Sequence, residues 1–483
     1  MKFVVKYFPE ITIKSRPVRR RFVTRLAENV RAILRDMDSE AVVVKHWDKL
    51  QIETGVVDEV LLAQMVNALR NCPGITYILE VAERPLGEME EVAEQVKAVY
   101  GERLAGKTFA VRCRRSGQHS FTSVDVERAV GSYLLAHTDA AGVKLKKPEV
   151  TVELEIAKNR LYVVRRRYRG LGGYPIGSID PVLSLISGGF DSPVASYLTM
   201  KRGMLTHFLF FNLGGRDHEV GVKEVALYLW QKYGSNKRVL FISVPFDEVV
   251  AELLTNIKDS QMGVILKRMM LRVADRIAED LEIEALVTGE CVAQVSSQTL
   301  RNLSVIDRVT ERLVLRPLIA TNKEDIVRMA GEIGTQEFAA NMPEYCGVIS
   351  VKPTTRARLE RIEADEKNFD MAILDRAIAN TQQTCIDELD NSDDLDRSEV
   401  ETLTVPLAGC TIIDIRHPDE EHLAPLKVQA PVLKIPFYEL HTRFAGLPAD
   451  ALYMLYCGKG VMSRLHASHL QDSGSAEVKV YAP

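Results

Sequence analysis

The period of the apolar positions switches repeatedly between two and about 3.6 along this chain, as expected of alternating strands and helices. Lys2-Phe3-Val4-Val5-Lys6-Tyr7-Phe8 alternates as a strand, and Phe22, Leu26, Val30, Ile33 and Leu34 line one side of a helix. Strand-like runs at 41–45 and 50–53 follow. Then come a helix over 58–69, a break at Pro73-Gly74 and a strand over 75–79. This order predicts a small α+β domain. From about Leu86 the pattern restarts with a helix (92–100), a strand (108–115), a helix (125–136) and two strands (149–156 and 160–168). The glycine-rich run Arg169-Gly170-Leu171-Gly172-Gly173-Tyr174-Pro175-Ile176-Gly177 reads as a linker.

Residues 181–345 alternate strand and helix, with strands expected at 182–186, 205–212, 239–244 and 285–288. That layout predicts a parallel sheet covered on both faces. The acidic segment Asp390-Asn391-Ser392-Asp393-Asp394-Leu395-Asp396 reads as a second linker, and a last α/β unit runs from Thr404 to the end.

At 483 residues the chain is too long for one ordinary core, and 46% hydrophobic with 27% charged residues is the balance of a soluble globular protein. No apolar run approaches the ~18 residues a membrane span needs. Nothing in Met1-Lys2-Phe3-Val4-Val5-Lys6 marks export, and seven cysteines do not make a secreted disulfide scaffold, so a reducing cytoplasm is expected. Charge is uneven. Residues 1–180 carry 30 Lys and Arg against 23 Asp and Glu, a net of +7, whereas the remainder nets −11. A basic front half suggests a polyanion partner, with an ordinary solvated basic face as the alternative.

Candidate chemistry lies in two loops. The expected strand Val182-Leu183-Ser184-Leu185-Ile186 delivers Ser187-Gly188-Gly189-Phe190-Asp191-Ser192, with a helix expected from Pro193. Small residues let backbone amides approach an anion, and the following helix N-terminus favours negative charge. This is not the GxxxxGK[ST] loop, so γ-phosphate transfer is not implied. It resembles the PP-loop of ATP pyrophosphatases, which cut ATP between the α and β phosphates. Thr288-Gly289-Glu290 and Gln294-Val295-Ser296-Ser297-Gln298-Thr299 suit the carboxyl edge of the same sheet, where ligands of such folds bind.

The second loop is Cys457-Gly458-Lys459-Gly460-Val461-Met462-Ser463-Arg464, after the apolar strand Leu452-Tyr453-Met454-Leu455-Tyr456. Converging amides, a helix N-terminus and nearby cations favour a thiolate. The loop resembles that of rhodaneses, whose cysteine carries a sulfane sulfur, and Asp414-Ile415-Arg416 matches that family's Asp-x-Arg strand end. Cys346 lies in a Pro- and Gly-bracketed loop, and residue spacing alone leaves it either functional or ordinary. Cys72, Cys113, Cys291, Cys385 and Cys410 sit in apolar or helical surroundings and are expected to fill core. With no C-x-x-C pair, a zinc or iron–sulfur site is not expected.

In order along the chain stand Glu10-Ile11-Thr12-Ile13-Lys14-Ser15, Arg112-x-x-Arg115-x-Gly117-x-His119-x-Phe121, Gly173-Tyr174-Pro175-Ile176-Gly177, the 187–192 loop, Gly289-Glu290, Gln294 to Thr299, Pro343-Glu344-Tyr345-Cys346-Gly347 and the Cys457 loop. The ordered set resembles the ThiI family of tRNA 4-thiouridine synthetases in its long form. The resemblance implies a multidomain α/β and α+β chain. Its parts would be a ferredoxin-like domain (1–60), a THUMP RNA-binding domain (61–165), a linker (166–178), a doubly wound PP-loop adenylation domain (179–390), an acidic linker (391–403) and a rhodanese-like domain (404–483).

The resemblance also implies the reaction: ATP with Mg²⁺ adenylates uridine-8 of tRNA, and sulfur from a Cys457 persulfide replaces the activated oxygen. Cys457, Cys346 and Asp191 would be catalytic, with a Cys346–Cys457 disulfide formed in turnover. Leu185, Ile186, Ser187, Gly188, Gly189, Ser192, His207, Phe208, Lys267, Gly289, Gln298 and Lys323 would hold ATP. Lys14, Arg19, Arg20, Arg21, Arg112, Arg114 and Arg115 would meet tRNA. A cysteine desulfurase would donate sulfur, a thiol reductant would reopen the disulfide, and a sulfur-carrier protein of thiamine synthesis would be a second acceptor. The alternative is a PP-loop ligase or thiolase acting on another RNA base. Two departures stand out: Cys291-Val292-Ala293 replaces small residues that usually include glycine, and Tyr456 replaces a common tryptophan.

Overall fold

Strand β4 (Ile75–Pro85) organises the front of the molecule because it is 11 residues long. Its first half pairs with β1 (Lys2–Tyr7) and its whole length with β8 (Arg160–Gly172), both antiparallel. Around these run β2 (Val42–Lys45), β3 (Lys49–Glu53), β5 (Thr108–Ser116), β6 (Gly142–Val143) and β7 (Val150–Ala157). Together they form one eight-stranded sheet in the order β2-β3-β1-β4-β8-β7-β5-β6. The computed structural model describes residues 1–213, 215–234, 237–341, 352–389, 400–416, 418–448, 451–458, 461–472 and 478–483. It divides into two compact units, Met1–Pro175 and Ile176–Pro483.

In the first unit the expected boundary near residue 60 does not interrupt the sheet, since β1 of the first expected part pairs with β4 of the second. The helix Arg16–Arg35 buries Phe22, Leu26, Val30 and Leu34, as its spacing predicted. The helix Ser123–His137 starts at a reciprocal capping box between Thr122 and Asp125 and buries Val126, Val130 and Leu134. With Val92 and Val96 these pack on Phe109, Val111, Val152, Leu154 and Val163. Of the expected linker 166–178, residues 166–172 are strand, since β8 extends to Gly172. Gly170 permits this, because a Cβ there would lie 2.4 Å from the Ile75 carbonyl oxygen.

The second unit holds two sheets. One contains β9 (Ile179–Leu185), β10 (Met204–Asn212), β11 (Leu240–Pro245), β12 (Ala285–Val287), β13 (Leu313–Leu315) and β14 (Gln382–Cys385), ordered β13-β12-β9-β10-β11-β14. It is parallel except for the edge strand β14, which pairs antiparallel with β11 and was not anticipated from sequence. Ile265, Met269, Val273 and Ile277 of the helix Met262–Asp280 bury against Leu183, Ile242 and Leu286 of this sheet. Arg268 of that helix is 1% exposed, donating to Glu366 (Nη2 to Oε2, 3.0 Å) and to the Val305 carbonyl (2.6 Å).

The other sheet is wholly parallel: β15 (Thr402–Leu403), β16 (Thr411–Asp414), β17 (Val432–Lys434), β18 (Tyr453–Tyr456) and β19 (Lys479–Tyr481), ordered β15-β19-β18-β16-β17. Thr402 and Leu403, expected to end an acidic linker, are instead its edge strand, paired with Val480 and Tyr481. The acidic residues 390–396 lie outside the described residues. Among the described residues, no helix is long and apolar enough to cross a membrane.

Candidate nucleotide and sulfur sites

Strand order reverses at β9, whose neighbours β10 and β12 lead to opposite ends of the sheet. A crevice opens at the carboxyl end of strands at such a point, and ligands of open α/β sheets bind there. The 187–192 loop leaves β9 at this place. Ser192 Oγ accepts the Ser187 amide (2.8 Å) and lies 3.1 Å from the Ser187 carbonyl, so the loop closes on itself. The helix Asp191–Lys201 begins inside the motif, two residues earlier than Pro193 suggested. Gly289, just past β12, lies against this turn: a Cβ there would be 2.7 Å from the Ser192 amide nitrogen and 2.8 Å from the Asp191 carbonyl carbon. Only glycine lets the two loops meet.

Asp191 is held from two sides. Lys323 Nζ reaches Oδ1 and Oδ2 at 2.8 and 3.1 Å, and Gln294 Nε2 donates to Oδ2 at 2.8 Å. Among the described residues, Gln294 Oε1 is buried without a donor. Gln294 stood in the sequence motif without a role; the structure places it on the carboxylate. Lys323 is no isolated surface lysine, since Asp191 fixes it and its ammonium lies 5.4 Å from the Phe190 ring centroid.

Lys267 extends from the helix Met262–Asp280 to Glu290 Oε1 (2.6 Å). Arg316 Nε donates to Glu290 Oε2 (2.9 Å), and its Nη atoms grip Asp307 at 3.0 and 2.6 Å. Burial pushes the Glu290 carboxyl up, but Lys267 and Arg316 outweigh it and hold the group below its ordinary range. Glu290 therefore positions two cations, a function that the bare Gly289-Glu290 pair did not reveal.

The remaining expected nucleotide residues divide. Leu185 and Ile186 lead directly into the loop, and the Ile186 amide donates to the Leu209 carbonyl (2.8 Å). Leu209 is the β10 residue in register with Leu185, whereas His207 and Phe208 pair opposite Leu183 and Ser184. The structure thus leaves His207 and Phe208 below the loop. Phe208 is fully buried, and His207 Nδ1 accepts the Leu240 amide (3.1 Å). Gln298 is buried, and its Oε1 accepts from the Cys291 amide at 3.4 Å, closing the 291–298 loop on itself. In that loop Ala293 has φ +63°, the left-handed conformation that favours glycine. The departure noted from sequence is therefore a backbone departure.

In the second parallel sheet Cys457 directly follows β18. It is 7% exposed, and its Sγ accepts the amide of Ser463, in the first turn of the helix Val461–Asp472 (3.3 Å). Lys459 and Gly460 lie outside the described residues, as does Cys346. Arg416 is turned inward: Nε and Nη2 donate to the two oxygens of buried Asp414 at 2.9 and 2.6 Å, and Nη1 to the Ala424 carbonyl. Its charge serves the strand end, and its guanidinium lies 4.9 Å from the Tyr456 ring centroid. The helix Val461–Asp472 seats on the helix Gly215–Leu229 through His466, whose Nε2 lies 3.0 Å from Glu224 Oε1. Burial pushes the Glu224 carboxyl up to about 8.

Of the cations expected to meet RNA, Lys14, Arg20, Arg21, Arg112 and Arg114 are exposed. Arg112 and Arg114 share one face of β5, and Arg115 points to the other. There its Nη1 contacts His119 Nδ1 (3.0 Å) and the Gly117 carbonyl, while His119 Nε2 meets the Lys158 carbonyl (2.8 Å). Arg19 departs from expectation. It is only 7% exposed, because its guanidinium is consumed by the carbonyls of Thr12 and Trp47.

A parallel sheet with this loop at its crossover defines a PP-loop nucleotide enzyme, here preceded in the chain by a basic α+β unit. Comparison with known proteins narrows the class. The chain matches the family model described as thiamine biosynthesis protein (ThiI) over residues 177–371, a THUMP domain over 87–164 and a ThiI ferredoxin-like domain over 2–78. It is 57% identical over 484 residues to a tRNA sulfurtransferase of Pseudomonas aeruginosa and 56% identical over 485 residues to that of Azotobacter vinelandii, covering 100% of each chain. Among solved structures it is similar to a 4-thiouridine synthetase in complex with RNA and bound ATP (TM-score 0.70, 24% identity, 80% of this chain and 99% of that one). It is also similar to PH1313 from Pyrococcus horikoshii (TM-score 0.52, 19% identity, 69% and 100%). The chain belongs to the tRNA sulfurtransferase family and is an enzyme of that class.

Proposed function

We propose that this enzyme uses ATP to activate O4 of uridine-8 in tRNA and replaces that oxygen with sulfur carried on Cys457. The observation that carries the reading is the meeting of the 187–192 loop and Gly289 at the sheet crossover, with Asp191 held beside them by Lys323 and Gln294. The names of the relatives, and the ATP and RNA bound in the structural neighbour, support it.

The 187–192 backbone and the helix behind it suit the phosphates, with Lys267 and Lys323 as cations to meet them. Glu290 aims Lys267, and Gly289 lets its loop close against the start of the helix behind the 187–192 loop. Asp191 would supply a carboxylate to a Mg²⁺ ion accompanying ATP. Bound there it would neutralise charge on the departing pyrophosphate. Exposed cations of the first unit, Lys14, Arg20, Arg21, Arg112 and Arg114, suit the tRNA backbone.

In the reaction, O4 attacks the α-phosphate, pyrophosphate leaves, and the uracil carries AMP. A desulfurase loads Cys457 as a persulfide, whose terminal sulfur attacks C4 and expels AMP. Cys346 then attacks Cys457 Sγ and releases the 4-thiouridine sulfur. A Cys346–Cys457 disulfide remains, which a thiol reductant reopens. The Cys457 loop of the rhodanese-like unit suits this use, since a helix amide already points at Sγ. The proposal extends to a second acceptor, the C-terminus of a sulfur-carrier protein; the family model's description, which names thiamine biosynthesis, supports a role in that pathway.

The test is an anaerobic reaction of the full chain with unmodified tRNA, ATP-Mg²⁺, a desulfurase and cysteine, followed by thiouridine absorbance. Product that depends on Asp191 and Cys457 supports the proposal. Turnover retained in Cys457→Ala with the desulfurase as the sole donor overturns the persulfide role.

A further inference from the structure

The turn between β2 and β3 carries Trp47, which stays 65% exposed on a backbone pinned from beneath. Tyr7 Oη lies 2.9 Å from the His46 carbonyl and 2.6 Å from the Lys49 carbonyl, and the His46 amide donates to Lys49 O (2.9 Å). Buried Arg19 donates to the Trp47 carbonyl and, at 2.9 Å, to the Thr12 carbonyl. Its guanidinium carbon also sits 3.6 Å from the Trp47 ring centroid, so a cation backs one face of the indole.

This is an unusual use of buried polar groups. Folding the indole inward would be favourable, yet a buried tyrosine and a buried arginine hold its turn in place and leave the ring facing water. A rigid aromatic with one face backed and most of its surface exposed is preorganised for stacking. The same guanidinium grips Thr12, which brings the 13–16 segment beside the turn. There Ile13 is 81% exposed, and Lys14 and Arg16 are exposed, as are Arg20 and Lys45, the last residue of β2. An exposed ring among cations suits a nucleotide, whose base offers a π-face and whose phosphates offer charge.

We propose that Trp47 is a stacking platform for an unpaired nucleotide of the RNA substrate, with Lys14, Arg16 and Arg20 on the flanking phosphates. The proposal rests on the RNA reading above and adds a base contact to it. Stacking is tolerant of sequence, so Trp47 positions the RNA and does not choose the target base.

The chain has two tryptophans, so in Trp230→Phe the emission reports Trp47 alone. Titration of that variant with unmodified tRNA, and with an unstructured RNA oligonucleotide, is expected to quench the emission saturably. In the otherwise native chain Trp47→Ala is expected to weaken tRNA binding about 5- to 100-fold. The salt dependence should stay unchanged, because no phosphate contact is lost, and Trp47→Phe should recover most of the affinity. Unchanged Trp47 emission on tRNA that demonstrably binds, or native affinity in Trp47→Ala, overturns the platform and leaves the RNA reading standing. Failure of the unaltered chain to bind tRNA overturns that underlying reading, and the platform with it. A Trp47→Ala variant whose self-association changes while its tRNA affinity does not would give the surface to a second copy of the chain and overturn the proposal.

Discussion

Two loops in the second unit are built alike and equipped differently. Each follows an interior strand of a parallel sheet, β9 or β18, and each runs into a helix. In the first, glycines and hydroxyls keep side chains out of the way, Gly289 comes up against the helix start, and charged groups stand around the rim. In the second, one sulfur occupies the place of the anion and a helix amide is directed at it. The same dipole that would favour phosphate in one loop would favour a sulfur anion in the other. What separates the two chemistries is the side chain at the loop, not the architecture beneath it.

Removing the reacting group from each loop should break the two halves of the chemistry separately. Asp191→Ala is expected to cut thiouridine formation on the order of 10³-fold or more while Cys457 still accepts sulfur from a desulfurase. Cys457→Ala should cut product as severely yet retain tRNA-dependent pyrophosphate release. Parallel assays of persulfide loading and pyrophosphate distinguish these outcomes; loss of both half-reactions in either variant would contradict a division of labour.

Next in size is Gly289→Ala. Its methyl would meet the Ser192 amide and the Asp191 carbonyl carbon, backbone atoms that cannot swing aside. Overpacking of this kind costs about 1–3 kcal/mol, so ATP affinity measured calorimetrically should fall about 5- to 100-fold with sulfur loading at Cys457 intact.

A smaller, pH-dependent effect is expected beneath the sulfur loop. Glu224 faces His466 of the Cys457 helix, and burial raises its carboxyl to about 8. Between the ordinary carboxylate range and about pH 8 the folded chain holds a proton that the unfolded chain has lost. Its contribution to stability is therefore complete below that range and declines as pH rises towards 8, by up to about 1.4 kcal/mol per pH unit. Urea midpoints from pH 6 to 8 should show the decline, and Glu224→Gln should flatten it. The smallest effect belongs to Ala293→Gly in the nucleotide half, expected to raise stability by about 0.5–1 kcal/mol by relieving the positive φ; thermal midpoints check it.

Both loops were legible in the sequence because strand, loop chemistry and helix start are contiguous. The same holds for the helix Arg16–Arg35, whose buried side follows from spacing alone. Register was not legible. His207 and Phe208 stand on the expected strand, but pairing of β10 with β9 brings Leu209 level with Leu185 and leaves the two residues below the loop. Nor did composition show that β8 continues through a glycine-rich run, which depends on its contact with Ile75.

The amino-acid order by itself determined the alternation of elements, the two chemical loops and the basic character of the front unit, because each depends on neighbours in the chain or on plain counting. Only the tertiary structure decided which charges remain available. Arg19 and Arg416 are turned inward to carbonyls and a carboxylate, Lys267 is aimed by Glu290, and Trp47 is held outward. The partner that neutralises or orients a charged group lies elsewhere in the chain, and folding alone brings the two together.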